Sequence, residues 1–266
     1  MGLPQDPNPV DGEEIEPELV ETLVFLNKRQ QPVIYTPELV DTIDPTDYAS
    51  DTTAVQTLID SVTSSVSGVD YAYLMIPPAK PNGNAWDFDA TVECSRNGVH
   101  AVVRMPFEKS GGTPYRWTTS ISDGSPVFRY DGVTGDNTLP PTVGPFSIQG
   151  GQGQDVEALR FKDIASFSIA DLDLVQFAQG DNSSGVVVFE DDCFNGTVNN
   201  VNYIAFNNDT ADSAKTDVFV CENSGGTGPG DIWFGRMCNA RNGYGRVLQD
   251  DNNDSQRTLI WSGRFE

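Results

Sequence analysis

Positive charge is what this chain has least of. Its 266 residues hold five lysines, eleven arginines and one histidine against 39 aspartates and glutamates, a net charge of −23. A protein that neutralises nucleic-acid phosphates needs the opposite sign, so no nucleic-acid partner is expected. Long apolar runs are missing too. No stretch approaches the roughly 20 residues of a membrane-spanning helix, so no membrane insertion is expected. Cys94, Cys193, Cys221 and Cys238 form no C-x-x-C pair, and His100 is the lone histidine, which leaves no zinc-site pattern. The opening MGLPQDPNPVDGEEIEPE lacks the basic start and apolar core of a secretory signal.

What is present points to β structure. There are 25 glycines and 17 prolines, and Asn, Asp, Ser and Thr are frequent, so long helices have little room. The length suits one large domain, or one domain with a small appendage. Aspartate outnumbers glutamate by 27 to 12. The plain reading is a solvated acidic surface that keeps the chain soluble. The sharper reading is adaptation to very high salt. There, self-repulsion is screened over about 3 Å, and short carboxylates hold water where lysine stems would add apolar surface. Four N-glycosylation sequons, at Asn182, Asn195, Asn208 and Asn253, favour an exterior location.

Residues 1–46 read as a Pro- and acid-rich arm. It contains a helical apolar spacing at Leu19, Leu23 and Leu26, and a short extended piece, QPVIYTPELVDTI, bracketed by Pro32 and Pro37. Next comes SDTTAVQTLIDSV. Asp51 is a good N-cap for a helix beginning at Thr52. Val55, Leu58, Ile59, Val62 and Val66 then form one apolar stripe. The helix should stop near Gly68, before a strand at 71–76 that runs into Pro77-Pro78.

The second half repeats. IADLDL (169–174) returns as VNNVNY (198–203), 29 residues on, and LRFKD (159–163) returns as VVFED (187–191), 28 residues on. The pattern recurs as VFVCEN with DIWF, then as RVLQD with TLIW. Short strands at this period predict a three-sided solenoid of parallel β-coils about 4.8 Å apart. Asn199, Asn200, Asn202, Asp171 and Asp173 are placed to form polar ladders at corners or on outer faces. Cys193 and Cys221, 28 apart, are expected as stacked neighbours in the core, as buried thiols, with a disulfide between them the alternative. The helix at 52–66 is expected to cover the first coil, because an open strand row invites aggregation. VECSRNGVHAVV (92–103) fits either a coil or a hairpin about Asn97-Gly98.

Asp51, Thr53, Ala54, Gln56, Ile59 and Asp60, followed by the strand at 72–76 and Pro77, fit an opening of the type Asp-Thr-Ala-x-x-Gln-x-x-Ile-Asp. With it the chain resembles the pectin-lyase-like right-handed β-helix family, particularly its tail-spike and virion-fibre branch, over residues 47–266. Gly68-Val69-Asp70 stands where that opening usually has Gly-Gly. The resemblance implies a mainly β fold, a right-handed single-stranded parallel β-helix with an N-terminal amphipathic capping helix. It speaks for fold more than for chemistry.

Enzymes of this family cut polysaccharides with clustered carboxylates. Glu190-Asp191-Asp192-Cys193 looks like the Asp-Asp-Cys element of polygalacturonases, which makes Asp191 and Asp192 the catalytic candidates. The accompanying Asn-Thr-Asp, Gly-His-Gly and Arg-Ile-Lys elements are missing. A lyase would need carboxylates for Ca²⁺ and a basic residue; Asp171, Asp173 and Asp192 with Arg160 or Arg236 are the available set. Asp250, Asp251 and Asp254 offer oxygens to a structural cation such as Ca²⁺, without an EF-hand pattern; no cofactor is otherwise expected. Trp86 and Tyr244 are the aromatic candidates for glycan or receptor contact, while Trp233 and Trp261 fall inside expected strands and read as core.

The resulting expectation is a structural virion protein of a virus of a salt-loving, haloarchaeal host, at the particle surface as a tail spike, fibre or capsid turret. It would form a homo-oligomer, a trimer by resemblance. It would dock on other virion proteins through its arm and attach to a host surface glycoprotein or polysaccharide. The absent export signal and the final strand without a visible cap are compatible with that expectation. The alternatives are a polysaccharide-degrading enzyme and a decoration protein without a receptor role.

Overall fold

The computed structural model describes residues 33–35, 48–65, 71–80, 83–105, 116–132, 138–151, 154–177, 182–204, 217–225, 228–241, 248–250 and 260–265. In chain order the elements begin with β1 (Val33–Tyr35), α1 (Asp51–Ser65), β2 (Tyr71–Met75), β3 (Asp87–Phe88), β4 (Val92–Glu93), β5 (Ser95–Arg96) and β6 (Val99–Arg104). They continue with β7 (Trp117–Thr119), β8 (Pro126–Asp131), β9 (Thr138–Val143), β10 (Phe146–Gln149), β11 (Glu157–Lys162) and β12 (Ser166–Val175). The last are β13 (Val187–Glu190), β14 (Gly196–Ile204), β15 (Phe219–Glu222), β16 (Trp233–Arg241), β17 (Leu248–Asp250) and β18 (Ile260–Phe265).

These strands stack into a parallel β-solenoid. One side is a six-stranded sheet in the order β17-β15-β13-β11-β8-β4. The long strands β12, β14, β16 and β18 pair in that order and bend midway. Their two halves form the other sides, with β9 beside the first half of β12 and β10 beside the second. Asp171 and Asn200 stand at that bend with φ of 60° and 50°. Asn and Asp tolerate this left-handed backbone better than other side chains. The Asn200 amide donates to Asp171 Oδ1 on the coil below, so the corner is a polar ladder, and Asn202 repeats it on Asp173 at 2.8 Å. About four turns, from β11 to β18, are regular.

The repeat offsets hold in the register. Ile169 pairs with Val198 and Leu159 with Val187, 29 and 28 residues apart. Inside, aromatic rings pile up one per coil: Tyr130, Phe161 and Phe189 stack at centroid distances of 5.2 and 5.8 Å. The cysteine expectation is half corrected. Cys94, Cys193 and Cys221 are buried free thiols, but Cys221 stacks on Phe189, not on Cys193. The coil from Val187 to Phe219 is four residues longer than the one before it, and Cys193 lies past its strand, donating to the Phe161 carbonyl.

At the other end α1 lies across the first coil. Ser50, not Asp51, is its N-cap, accepting from the Thr53 N–H at 3.3 Å. Asp51 instead reaches out of the helix, taking hydrogen bonds from the Asp87 N–H and Lys80, both at 2.8 Å. Thr52 Oγ1 accepts from the Asp89 and Ala90 N–H groups, and Gln56 both accepts from the Glu93 N–H and donates to its carbonyl. Strands β3 and β4 are the edges of their sheets, so these side chains occupy backbone groups that would otherwise template another chain. Val55, Ile59 and Val62 are buried beneath the helix. The polar residues of the Asp-Thr-x-Ala-x-Gln stretch are a clasp, and the apolar ones a lid.

Around Asn97-Gly98 the hairpin reading holds: β5 runs antiparallel to β6 and both turn residues have positive φ. Val33–Tyr35 of the arm pairs in parallel with β2; the rest of residues 1–46, up to the start of the described segment at 48, lies outside the described residues.

Candidate functional site

Among the described residues the densest charge cluster lies on the outer face of the six-stranded sheet. Alternation along β11 turns Leu159 and Phe161 inward and Arg160 and Lys162 outward. Arg160 then runs along the stack across two rungs. Its guanidinium donates to Glu157 on its own strand at 2.8 and 2.7 Å, to Glu190 on β13 at 2.7 Å and to Glu222 on β15 at 2.6 Å. Lys162 donates to Glu190 at 2.6 Å and lies 3.0 Å from Asp191. One cation therefore holds carboxylates from three consecutive coils.

The environments of these acids differ. Glu157 is fully buried; burial pushes its carboxyl up despite the guanidinium beside it. At Glu190 burial pushes the same way, but hydrogen bonds from Lys162, Arg160 and Ser224 outweigh it and hold the carboxyl below its usual range. A raised and a lowered carboxyl side by side is the pattern of an acid–base pair. Access decides against it. Glu157 has no exposed surface, and its oxygens already accept from Arg160 Nε, Arg160 Nη2 and the Ser184 N–H. A polymer cannot reach it.

Asp191 closes the β13 corner with φ of 56°. It accepts from the Ser224 and Gly225 N–H groups, at 2.6 and 3.1 Å, and from the Ser224 hydroxyl at 2.8 Å, with Lys162 as its ion-pair partner. These contacts splint the corner to the loop after β15. Asp192 is half-buried, and its N–H donates to Asp163 Oδ1 at 3.4 Å. The lyase set is not gathered either. Asp171 is part of the corner ladder, and Asp173 takes Arg116, Ser147 and Asn202. Among the described residues no three His, Cys, Asp or Glu side chains are grouped to hold a metal ion.

The aromatic expectations need correction. Trp86 is fully buried, because it lies two residues before Phe88 and shares that residue's inward face; it offers nothing to a ligand. Trp233, expected in the core, is 50 % exposed, since its neighbour Phe234 takes the inward position. Tyr244, Asp251, Asp254, Asn208 and Asn253 lie outside the described residues, and of Asp250 only the backbone is described, paired with Cys221. Asn182 is exposed with its amide donating to Asp155, and Asn195 is exposed at a corner with φ of 53°.

The Arg160 network was half visible in the sequence. Aligning LRFKD with VVFED sets Lys162 over Glu190; that Arg160 spans two rungs depends on side-chain reach, which no offset encodes. Compared with family models, curated proteins and solved structures, the chain matches none.

Proposed function

We propose that this protein is a non-catalytic structural and attachment protein, a solenoid displayed at the surface of a virion from a salt-loving host, oligomeric and docked through its N-terminal arm. The fold type and the opening motif motivate the virion assignment by resemblance, and the acidic composition motivates the host. The observation that carries the non-catalytic part is the occupation of the carboxylates. Asp191 itself, and Glu157, Glu190 and Glu222 of the same charge cluster, are held by Arg160, Lys162 and backbone N–H groups of the fold itself. Such acids stiffen a stack and are poorly placed to move protons to a substrate.

The test is binding of labelled protein to intact haloarchaeal cells in molar NaCl. Saturable retention on the cells without release of reducing sugar is the expected result. No retention on any strain would remove the attachment role. The opposing reading, a polysaccharide hydrolase, is favoured by the divergent carboxyls of Glu157 and Glu190. Product release abolished by both Glu190→Gln and Asp192→Asn would establish it instead.

A further inference from the structure

One outer face of the solenoid carries an uncharged strip crowned by an exposed indole. Thr142, Ser168, Thr197 and Trp233 occupy the same register position on β9, β12, β14 and β16. Thr142 and Thr197 both donate to the Ser168 hydroxyl, at 3.3 and 3.1 Å. Beside them Asn199 is exposed, its carboxamide lying over the α-carbon of Gly235, where a β-carbon would displace it. Phe194, 40 % exposed, pairs with Gly230, three residues before Trp233. Phe194 and Trp233 are the large apolar side chains left exposed among the described residues.

We propose that this strip is a binding site for a neutral glycan, with Trp233 as the stacking platform. The inference rests on the attachment reading and gives it a location. A pyranose presents a patch of C–H groups on its ring face and hydroxyls around its edge. The first suits a flat, half-exposed indole, and the second suits the hydroxyls and carboxamide at Thr197, Ser168 and Asn199. Charge selects among ligands. Thr142, Ser168, Thr197, Asn199 and Trp233 carry no charge in a molecule of net charge −23. The nearest charges stand at the ends of the strip, where the Arg104 guanidinium donates to the Thr142 carbonyl and Asp231 is exposed two residues before Trp233. The platform itself therefore holds no carboxylate cluster to recruit a cation and no cation to recruit a uronate. Area selects among partners. Half an indole and two-fifths of a phenyl ring offer on the order of 200 Å², about a quarter of the roughly 800 Å² that one partner gives to a protein–protein interface. A sugar needs no more.

The experiment uses the full chain on an array of neutral and uronic-acid oligosaccharides in molar NaCl, with Trp233→Ala, Trp233→Phe and Thr197→Glu alongside. Both positions face outward, and circular dichroism checks the fold of each variant. Binding to a neutral glycan is expected, weakened about ten-fold in Trp233→Ala, less in Trp233→Phe, and weakened by the added carboxylate in Thr197→Glu. The site is overturned if the wild type binds no neutral glycan, if Trp233→Ala binds as well as wild type, or if Trp233→Ala breaks up an oligomer in sedimentation, which would assign the face to subunit contact. The whole-cell assay is read separately. Array binding that depends on Trp233 without cell retention keeps the site and removes attachment; cell retention with a silent array does the reverse.

Discussion

Two outer faces of one solenoid handle polarity in opposite ways. On the six-stranded sheet, charges are gathered, partly buried and closed on one another: Arg160 with Glu157, Glu190 and Glu222, Lys162 with Glu190 and Asp191. On the face built by the first halves of β12, β14 and β16, the outward positions are hydroxyls, an amide and an aromatic ring. The first face joins coils through strong, directional contacts that a partner could reach only by breaking them. The second joins coils weakly and leaves its surface open. In a chain of this charge, an uncharged face is where another surface can approach without meeting like charge.

Arg160→Met should separate the two faces most sharply. It leaves three carboxylates of one cluster without their shared cation and is expected to cost about 3–5 kcal/mol, read by urea denaturation, whereas Ser168→Ala on the neutral face should stay within about 0.5 kcal/mol. The clasp under both faces comes next. Asp51→Ala strands the Asp87 N–H and the Lys80 ammonium and should cost about 1–3 kcal/mol, with amide exchange accelerated over 87–93 and unchanged in β13–β15. At the corner, Asn200→Ala keeps a β-carbon in the left-handed backbone but removes the carboxamide that bonds to Asp171, about 1–2 kcal/mol. Part of this Asn200→Gly should return, because glycine adopts that backbone without a β-carbon.

Acid gives a smaller and signed effect. Because Glu190 is held below the ordinary glutamate value of 4.5, its contribution is present above that pH and fades as pH falls through the lowered value. Glu157, raised by burial, acts in the opposite sense, its contribution declining as pH rises above 4.5. Glu190→Gln should therefore flatten the acid side of a melting-temperature profile, and Glu157→Gln should steepen it. Trp233→Ala should move stability least of all, within about 0.5 kcal/mol.

Much of the fold was legible because its signals are periodic. The 29-residue return of IADLDL as VNNVNY is the observed register of β12 on β14. Val55, Ile59 and Val62 of the apolar stripe are buried against the first coil as their spacing implied, with Leu58 half-buried beside them; Val66 lies outside the described residues. Counting failed where loops change length, which is why Cys221 meets Phe189 and not Cys193. It failed again where strands are too short to show their parity. The two-residue β3 gave no alternation from which to turn Trp86 inward, and in Trp233-Phe234 composition alone could not say which ring faces water. The clasp was misread for a related reason: Asp51 suits an N-cap by type, but Ser50 performs that role and frees Asp51 to seal an edge strand. The candidate site was least legible, since Arg160 joins residues 62 positions apart.

Oxidative footprinting of the tryptophans in the free, folded protein, read by mass spectrometry, tests this inward and outward assignment most directly. Trp233 should be modified rapidly, while Trp86 and Trp117, both without exposed surface, should stay intact until the chain unfolds. Rapid labelling of Trp86 with Trp233 protected would contradict the stacking of the coils and the open, uncharged face derived from it.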